Sequence, residues 1–213
     1  AGPGDLLWVY FSCDETPAIT WPAGWTQLFL TTRGSPDASH EFRYRFADGT
    51  EGVSIDITTD TSQESAAVAG RVQAGTYAGA PEASTNAASF GSSINPPSLS
   101  RSWGSDMTQW WGVATADDNG DGAIALTTYP TNFADNQHED STGGTDGIHH
   151  VVSRRNNETA TEDPSAYIYG ESVGTLCRTV AIRGSGGVFP STTLAFSHTT
   201  TNATAHTVSL PVD

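Results

Sequence analysis

The segment Leu6-Leu7-Trp8-Val9-Tyr10-Phe11 is apolar at every position and bounded by Gly4 and Asp14. It is too short for a helix in this setting and reads as a central β-strand. Residues 41–46 alternate between polar and aromatic side chains. Asp48-Gly49 then offers a tight turn into residues 53–58, which alternate again, so the two pieces are expected to form a hairpin. Pro22-Ala23-Gly24 separates two extended pieces within residues 19–30. Residues 65–74 are small and apolar, and 107–116 read as a buried strand. Shorter extended pieces follow at 123–130, 148–155 and 166–169, and residues 176–183 form another strong one. Residues 76–100 are low in large apolar side chains, residues 131–147 are polar, acidic and Gly-rich, and both read as exposed loops.

Such a succession of short strands and turns, with no internal period, predicts an all-β fold. The expected architecture is a two-sheet antiparallel β-sandwich of jelly-roll type over residues 1–183. Gly184-Ser185-Gly186-Gly187 opens a flexible joint at 184–191, and residues 192–213 form a C-terminal extension. At 213 residues the chain is long enough to bury a core without disulfides or metals.

Charge narrows the partners. The chain carries 24 acidic residues against 9 basic ones, all Arg, for a net charge of -15. Phosphate backbones would meet charge of their own sign, so nucleic acid is not an expected partner. The sequence has neither an apolar run of spanning length nor a basic amphipathic stretch, so membrane insertion is not expected. Ala rather than Met at position 1 suggests a processed or excised chain.

Several segments resemble, in order and spacing, β-sandwich domains of tailed-phage virion proteins and related surface repeats. They are Gly4-Asp5-Leu6-Leu7, Trp21-Pro22-Ala23-Gly24-Trp25-Thr26-Gln27-Leu28 and Tyr44-Arg45-Phe46-Ala47-Asp48-Gly49-Thr50-Glu51. Asp163-Pro164-Ser165-Ala166 and Thr179-Val180-Ala181-Ile182-Arg183 complete the set. The resemblance spans Gly4 to Arg183. It implies a fold and a virion-surface or extracellular setting, and carries no catalytic residues. In that pattern a strand of Thr-Val-x-Leu-Pro character precedes the Gly-Asp-Leu-Leu segment. Here Thr207-Val208-Ser209-Leu210-Pro211 stands at the other end of the chain. Residues 192–213 are therefore expected to supply the missing strand, with Val208 and Leu210 facing inward. They would do so on their own domain or in the next subunit of a head-to-tail polymer.

Candidate sites are few. Asp117, Asn119 and Asp121 match the first half of a calcium loop, but Thr128 stands where the closing acid belongs, which favours an ordinary turn. Calcium is the one ion the sequence offers a site for, and no other cofactor is expected. His149 and His150 are adjacent on a strand and point to opposite faces. With no His-x-His spacing nearby, no transition-metal site is expected among them, His138 and Asp140. Cys13 and Cys177 either form a disulfide between an early and a late strand or remain buried thiols. Trp110 and Trp111 face opposite sides of one strand. An outward Trp there, or Trp21 and Trp25 near their turn, would offer a sugar-stacking surface, whereas core packing is the commoner use of such residues. Asn157 and Asn202 head glycosylation sequons. Glu41 and Asp56 are expected to face water, and no nucleophile or phosphate-binding motif is present.

These readings favour a non-enzymatic structural subunit of an external assembly, such as a virion decoration, tail fibre or surface filament. Its partners would be other copies of itself or other surface proteins. A glycan-binding module is the alternative, and a glycoside-active enzyme the third reading.

Overall fold

The computed structural model describes residues 1–35, 37–117, 124–141 and 147–212, with the backbone alone for 198–202. Among these residues the regular structure is all β, without helix. The strands are β1 (Leu6–Asp14), β2 (Ile19–Thr20), β3 (Thr26–Arg33), β4 (Ala38–Phe46), β5 (Ser54–Val72), β6 (Glu82–Ala83), β7 (Ala87–Ile94) and β8 (Leu99–Ser100). They continue with β9 (Thr108–Asp117), β10 (Leu126–Thr128), β11 (Ala134–Ser141), β12 (Ile148–Asn157), β13 (Thr161–Glu162), β14 (Tyr167–Arg183) and β15 (Thr192–Ser209).

Two antiparallel sheets pack face to face as a sandwich. Sheet 1 runs β15-β5-β1-β4-β3, with β2 also joined to β5. Sheet 2 runs β10-β14-β9-β12-β11, with β6 and β7 also paired to β14. A small third sheet joins β13 to β8. The core between the main sheets is built on Trp8 of β1, which stacks on Phe42 at 5.3 Å and meets Trp111 edge-on at 4.9 Å. Leu6, Tyr10, Phe29 and Val68 from sheet 1 join Val113, Val152, Val180 and Ile182 from sheet 2 around this pair. Gly70 of β5 lies directly under Trp8, where a Cβ would come within 2.0 Å of the indole. Only glycine fits there.

The apolar run of β1 is explained by a second core on the far face of sheet 1. Leu7, Val9, Phe11 and Cys13 point away from sheet 2 and pack with Ile57, Trp25, Val208 and Leu210. These partners arrive because the β5–β15 ribbon doubles back on itself. Ser197 pairs with Ala67 and Ser209 with Ser54, yet the Ser209 amide donates to Ser197 Oγ at 2.8 Å. The bend falls where the pairing register slips, between Thr199 and Ala205. The distal half of the ribbon thus forms a third layer over sheet 1. A strand apolar at consecutive positions is stable only where both faces are covered, and this lid supplies the second cover.

The expected hairpin of residues 41–58 does not form. β1 lies between β4 and β5 and pairs with both. Gly49 has the expected positive φ of 88°, but its turn leads the chain over β1 rather than back along β4. Alternation marks a strand without naming its partner, and β1 gains most by taking both inner positions. The two expected loops also contain strands: β7 pairs with β14, and the polar β11 pairs with β12. β11 escaped notice because an edge strand need not bury apolar residues.

The C-terminal segment folds onto its own chain. β15 pairs with β5 of its own domain, the first of the two expected routes, and does not lie beside β1. Val208 and Leu210 are buried as expected, while Thr207 and Ser209 are exposed. They already cover this chain's own second core, so no side chain is left over to donate. Residues 184–188 form a bonded turn rather than a slack joint. Gly184 N donates to Met107 O at 2.7 Å, Ser185 bridges to Val188, and Gly186 and Gly187 both have positive φ.

Candidate functional site

Cys13 and Cys177 are free thiols. Cys13 lies in the second core outside sheet 1, and Cys177 lies on the outer face of sheet 2 with Tyr167 and Tyr169. The two sheets stand between them, so the disulfide expectation is overturned. Burial pushes both thiols well above their ordinary range, which leaves them unreactive.

The tryptophans offer no open platform. Trp110 and Trp111 do face opposite sides of β9, but both are fully buried. Leu99, Phe133 and Trp103 cover the side on which Trp110 emerges. Trp25 is buried, and Trp21 is half-buried, its indole donating to Glu41 Oε2 at 2.6 Å beneath the Arg43 guanidinium. Glu41 also accepts from Arg43 Nε at 2.6 Å and is buried rather than facing water. Burial raises the Glu41 carboxyl pKa, outweighing the Arg43 and Trp21 contacts.

Asp117 is buried at the end of β9, whereas Asn119 and Asp121 lie outside the described residues. The Asn202 side chain also lies outside them. Asn157 Nδ2, the atom a glycan would take, donates to Glu162 Oε2 at 2.5 Å.

Polar groups penetrate the interface between the sheets. Tyr10 OH contacts His40 Nδ1 at 3.1 Å and Thr115 Oγ1 at 2.7 Å, and Ser12 Oγ contacts His150 Nδ1 at 2.7 Å. Burial, assisted by the Arg178 charge, pushes His40 down to about 3. Burial and the neighbouring His40 and His138 push His150 down to about 3. Both rings are neutral and enclosed. Their hydrogen bonds satisfy polar atoms that would otherwise be orphaned in the core.

Comparison with protein-family models, curated proteins and solved structures finds no match for this chain.

Two surface features stand out. The first is the outer edge of sheet 1. β15 pairs with β5 alone, and residues 192–209 contain no Asp, Glu, Lys or Arg. β3, at the opposite edge of this sheet, carries Arg33 as its one charged residue, and its Leu30 is 42% exposed. An open depression of about 470 Å³ at the root of β15 is lined by Arg71, Gln73, Ser191, Thr193 and Val212. With no carboxylate in that lining, it is not the two-acid cleft that glycoside hydrolysis requires.

The second feature lies on the outer face of sheet 2. In the β11–β12 pairing Asp140 stands opposite His149, and His138 sits two residues from Asp140 on the same face. Asp140 Oδ1 lies 2.6 Å from His149 Nδ1 and 2.8 Å from His138 Nε2. One ligand atom from each of the three residues falls within 4.8 Å of the others. Burial opposes ionisation of Asp140, but the contacts with His138 and His149 outweigh it and hold the carboxyl well below the usual range. His149 and His150 do point to opposite faces; the cluster uses only His149 and draws its other members from β11. The available signal was His138-x-Asp140, whose alternate spacing puts both side chains on one face of an extended strand.

Proposed function

We propose that this protein is a structural, non-enzymatic subunit of an external assembly, such as a virion decoration, tail fibre or surface filament. It is built by β-strand addition between copies. The observation that carries this reading is the uncharged, singly paired β15 edge. A long edge strand without charge is a template for pairing, and proteins that stay apart usually blunt it with Lys, Pro or inward charges. Two copies carrying -15 each repel, so association costs least where the surface bears no charge. The occupant we assign to this edge is the β3 edge of a second copy, which lacks acidic residues and exposes Leu30. Joining β15 to β3 extends sheet 1 from one subunit into the next. That contact is head-to-tail and does not close, so it grows a filament. Three buried carboxylates favour a non-catalytic reading, because each is committed to an arginine: Asp5 to Arg71, Glu41 to Arg43 and Glu162 to Arg155.

Light scattering and electron microscopy across protein and salt concentration test the proposal. Association should strengthen with salt as repulsion is screened. Thr193→Lys with Thr204→Lys should abolish it while leaving the monomer's melting temperature nearly unchanged. A wild-type chain that stays monomeric at every concentration and salt would overturn the assembly reading.

A further inference from the structure

The geometry points to a binding site for one divalent transition-metal ion of the zinc class, formed by His138 Nε2, Asp140 Oδ1 and His149 Nδ1 across the β11–β12 pair. Two imidazoles and one carboxylate form the mixed nitrogen and oxygen donor set that such ions prefer, with one position left for water or a further oxygen donor. The hard ions calcium and magnesium favour all-oxygen shells of higher coordination number, which these residues do not offer.

Three observations support it. First, His138 Nε2 is shielded from solvent and lies 2.8 Å from the same Asp140 oxygen that meets His149 Nδ1 at 2.6 Å. One carboxylate oxygen thus already gathers both ring nitrogens at a single point. Second, the hydroxyl of Tyr169, a residue only 2% exposed, has no hydrogen-bond partner and lies near enough to Asp140 to feel its charge. It is an unsatisfied buried hydroxyl on the same outer face of sheet 2. Third, the adjustment is small. A tetrahedral ion with bonds of about 2.1 Å holds its ligand atoms roughly 3.4 Å apart, so the carboxylate oxygen would withdraw by roughly 0.6–0.8 Å from nitrogens at 2.6 and 2.8 Å, and the two ring nitrogens already lie within 4.8 Å of each other. Rotation about side-chain bonds supplies that without moving either strand.

The ion would clip the outermost strand of sheet 2 to its neighbour. Pairing with β12 alone holds β11 in the sheet, and its register is already irregular between Ala134 and Gln137. Tying His138 and Asp140 to His149 would fix that register from the side-chain face. The inference does not rest on the assembly reading, since none of its ligands lies on β15 or β3.

The test uses the full chain, stripped of metal with a chelator and titrated with Zn(II) against a competing chelator. Co(II) serves as the visible-absorption probe of coordination. The expected result is one ion per chain, tetrahedral d–d absorption with Co(II), and a rise in melting temperature with Zn(II). His138→Ala and Asp140→Asn should each weaken binding by more than about tenfold and remove the thermal shift. Near-UV circular dichroism confirms that each variant is folded. Should His138→Ala not fold, the closer replacement His138→Gln takes its place. Absence of stoichiometric Zn(II) binding, binding unchanged in both variants, or displacement of Zn(II) by excess calcium would each overturn the site.

Discussion

Strands β15 and β11 lie at neighbouring edges of the two sheets, in contact with one another, and differ in what they present. β15 has no charged residue over its length. β11 is Ala-Asp-Asn-Gln-His-Glu-Asp-Ser, with three carboxylates in eight residues. Among the described residues both have backbone groups that no strand pairs, but only β11 defends them with charge. A molecule under pressure simply to stay dispersed would protect both edges alike. The contrast fits the proposed assembly, in which one edge is kept closed and the other available.

The largest expected effect concerns how rigidly β15 is held. Gly70 faces Leu194 in the pairing and lies under Trp8. Gly70→Ala would force the indole out of the main core. It should cost about 3 kcal/mol or more, read from denaturant midpoints, because the obstacle is a rigid ring in a packed interior. A loss under about 1 kcal/mol would mean that β5 can shift and that the β15 edge is not a fixed template.

The next effect tests whether the C-terminus closes its own domain. Leu210→Ala opens the second core beside Leu7, Val9 and Phe11 and should cost about 2–4 kcal/mol in the isolated monomer. If that variant lost stability only in the assembled form, Leu210 would be acting in a neighbour and the description of β15 as self-closing would fail.

Acid should loosen the seam between the sheets and the root of the β15 fold-over together. His40 and His150 are pushed down to about 3, and burial pushes His206 of β15 down to about 4, from an ordinary value of 6.5. His206 is held by Ser65 Oγ at 2.8 Å and Thr59 Oγ1 at 3.0 Å. Below pH 6.5 the unfolded chain takes up protons that the native chain refuses. Stability is therefore full above that pH and falls toward pH 4, by on the order of 1 kcal/mol per pH unit for each histidine. His206→Gln should flatten part of this slope in equilibrium unfolding. An unchanged slope would show that the ring is not neutral in the fold.

The smallest change in stability comes from reversing the charge contrast on β11. Glu139→Thr removes an edge charge and should alter monomer stability by less than about 0.5 kcal/mol. It should, however, raise the tendency of this edge to associate, seen by light scattering at high salt. No change there would mean that charge is not what keeps β11 closed.

The fold class was legible because side-chain periodicity is local. The burial of β1 and β9 and the inward setting of Val208 and Leu210 all follow from patterns within a few residues. The missed strands, β7 and β11, are poor in large apolar side chains, and their pairing is decided by neighbours far along the chain. The gathering of His138, Asp140 and His149 was not legible for the same reason. Its His138-x-Asp140 half was visible, but His149 joins it only through the register of β11 on β12.

The amino-acid sequence by itself determined that this chain is β throughout, where most of its strong strands fall and which of their faces are apolar. It also determined that residues 192–209 carry no charge. Only the tertiary structure decided that β1 divides β4 from β5, that the cysteines lie on opposite outer faces, and that the β5–β15 ribbon folds over to cover Leu7, Val9 and Phe11. The reason is that backbone hydrogen bonds are the same for every pair of strands. Partners are chosen instead by which arrangement removes the most apolar surface from water, a sum over the whole chain that no single segment contains.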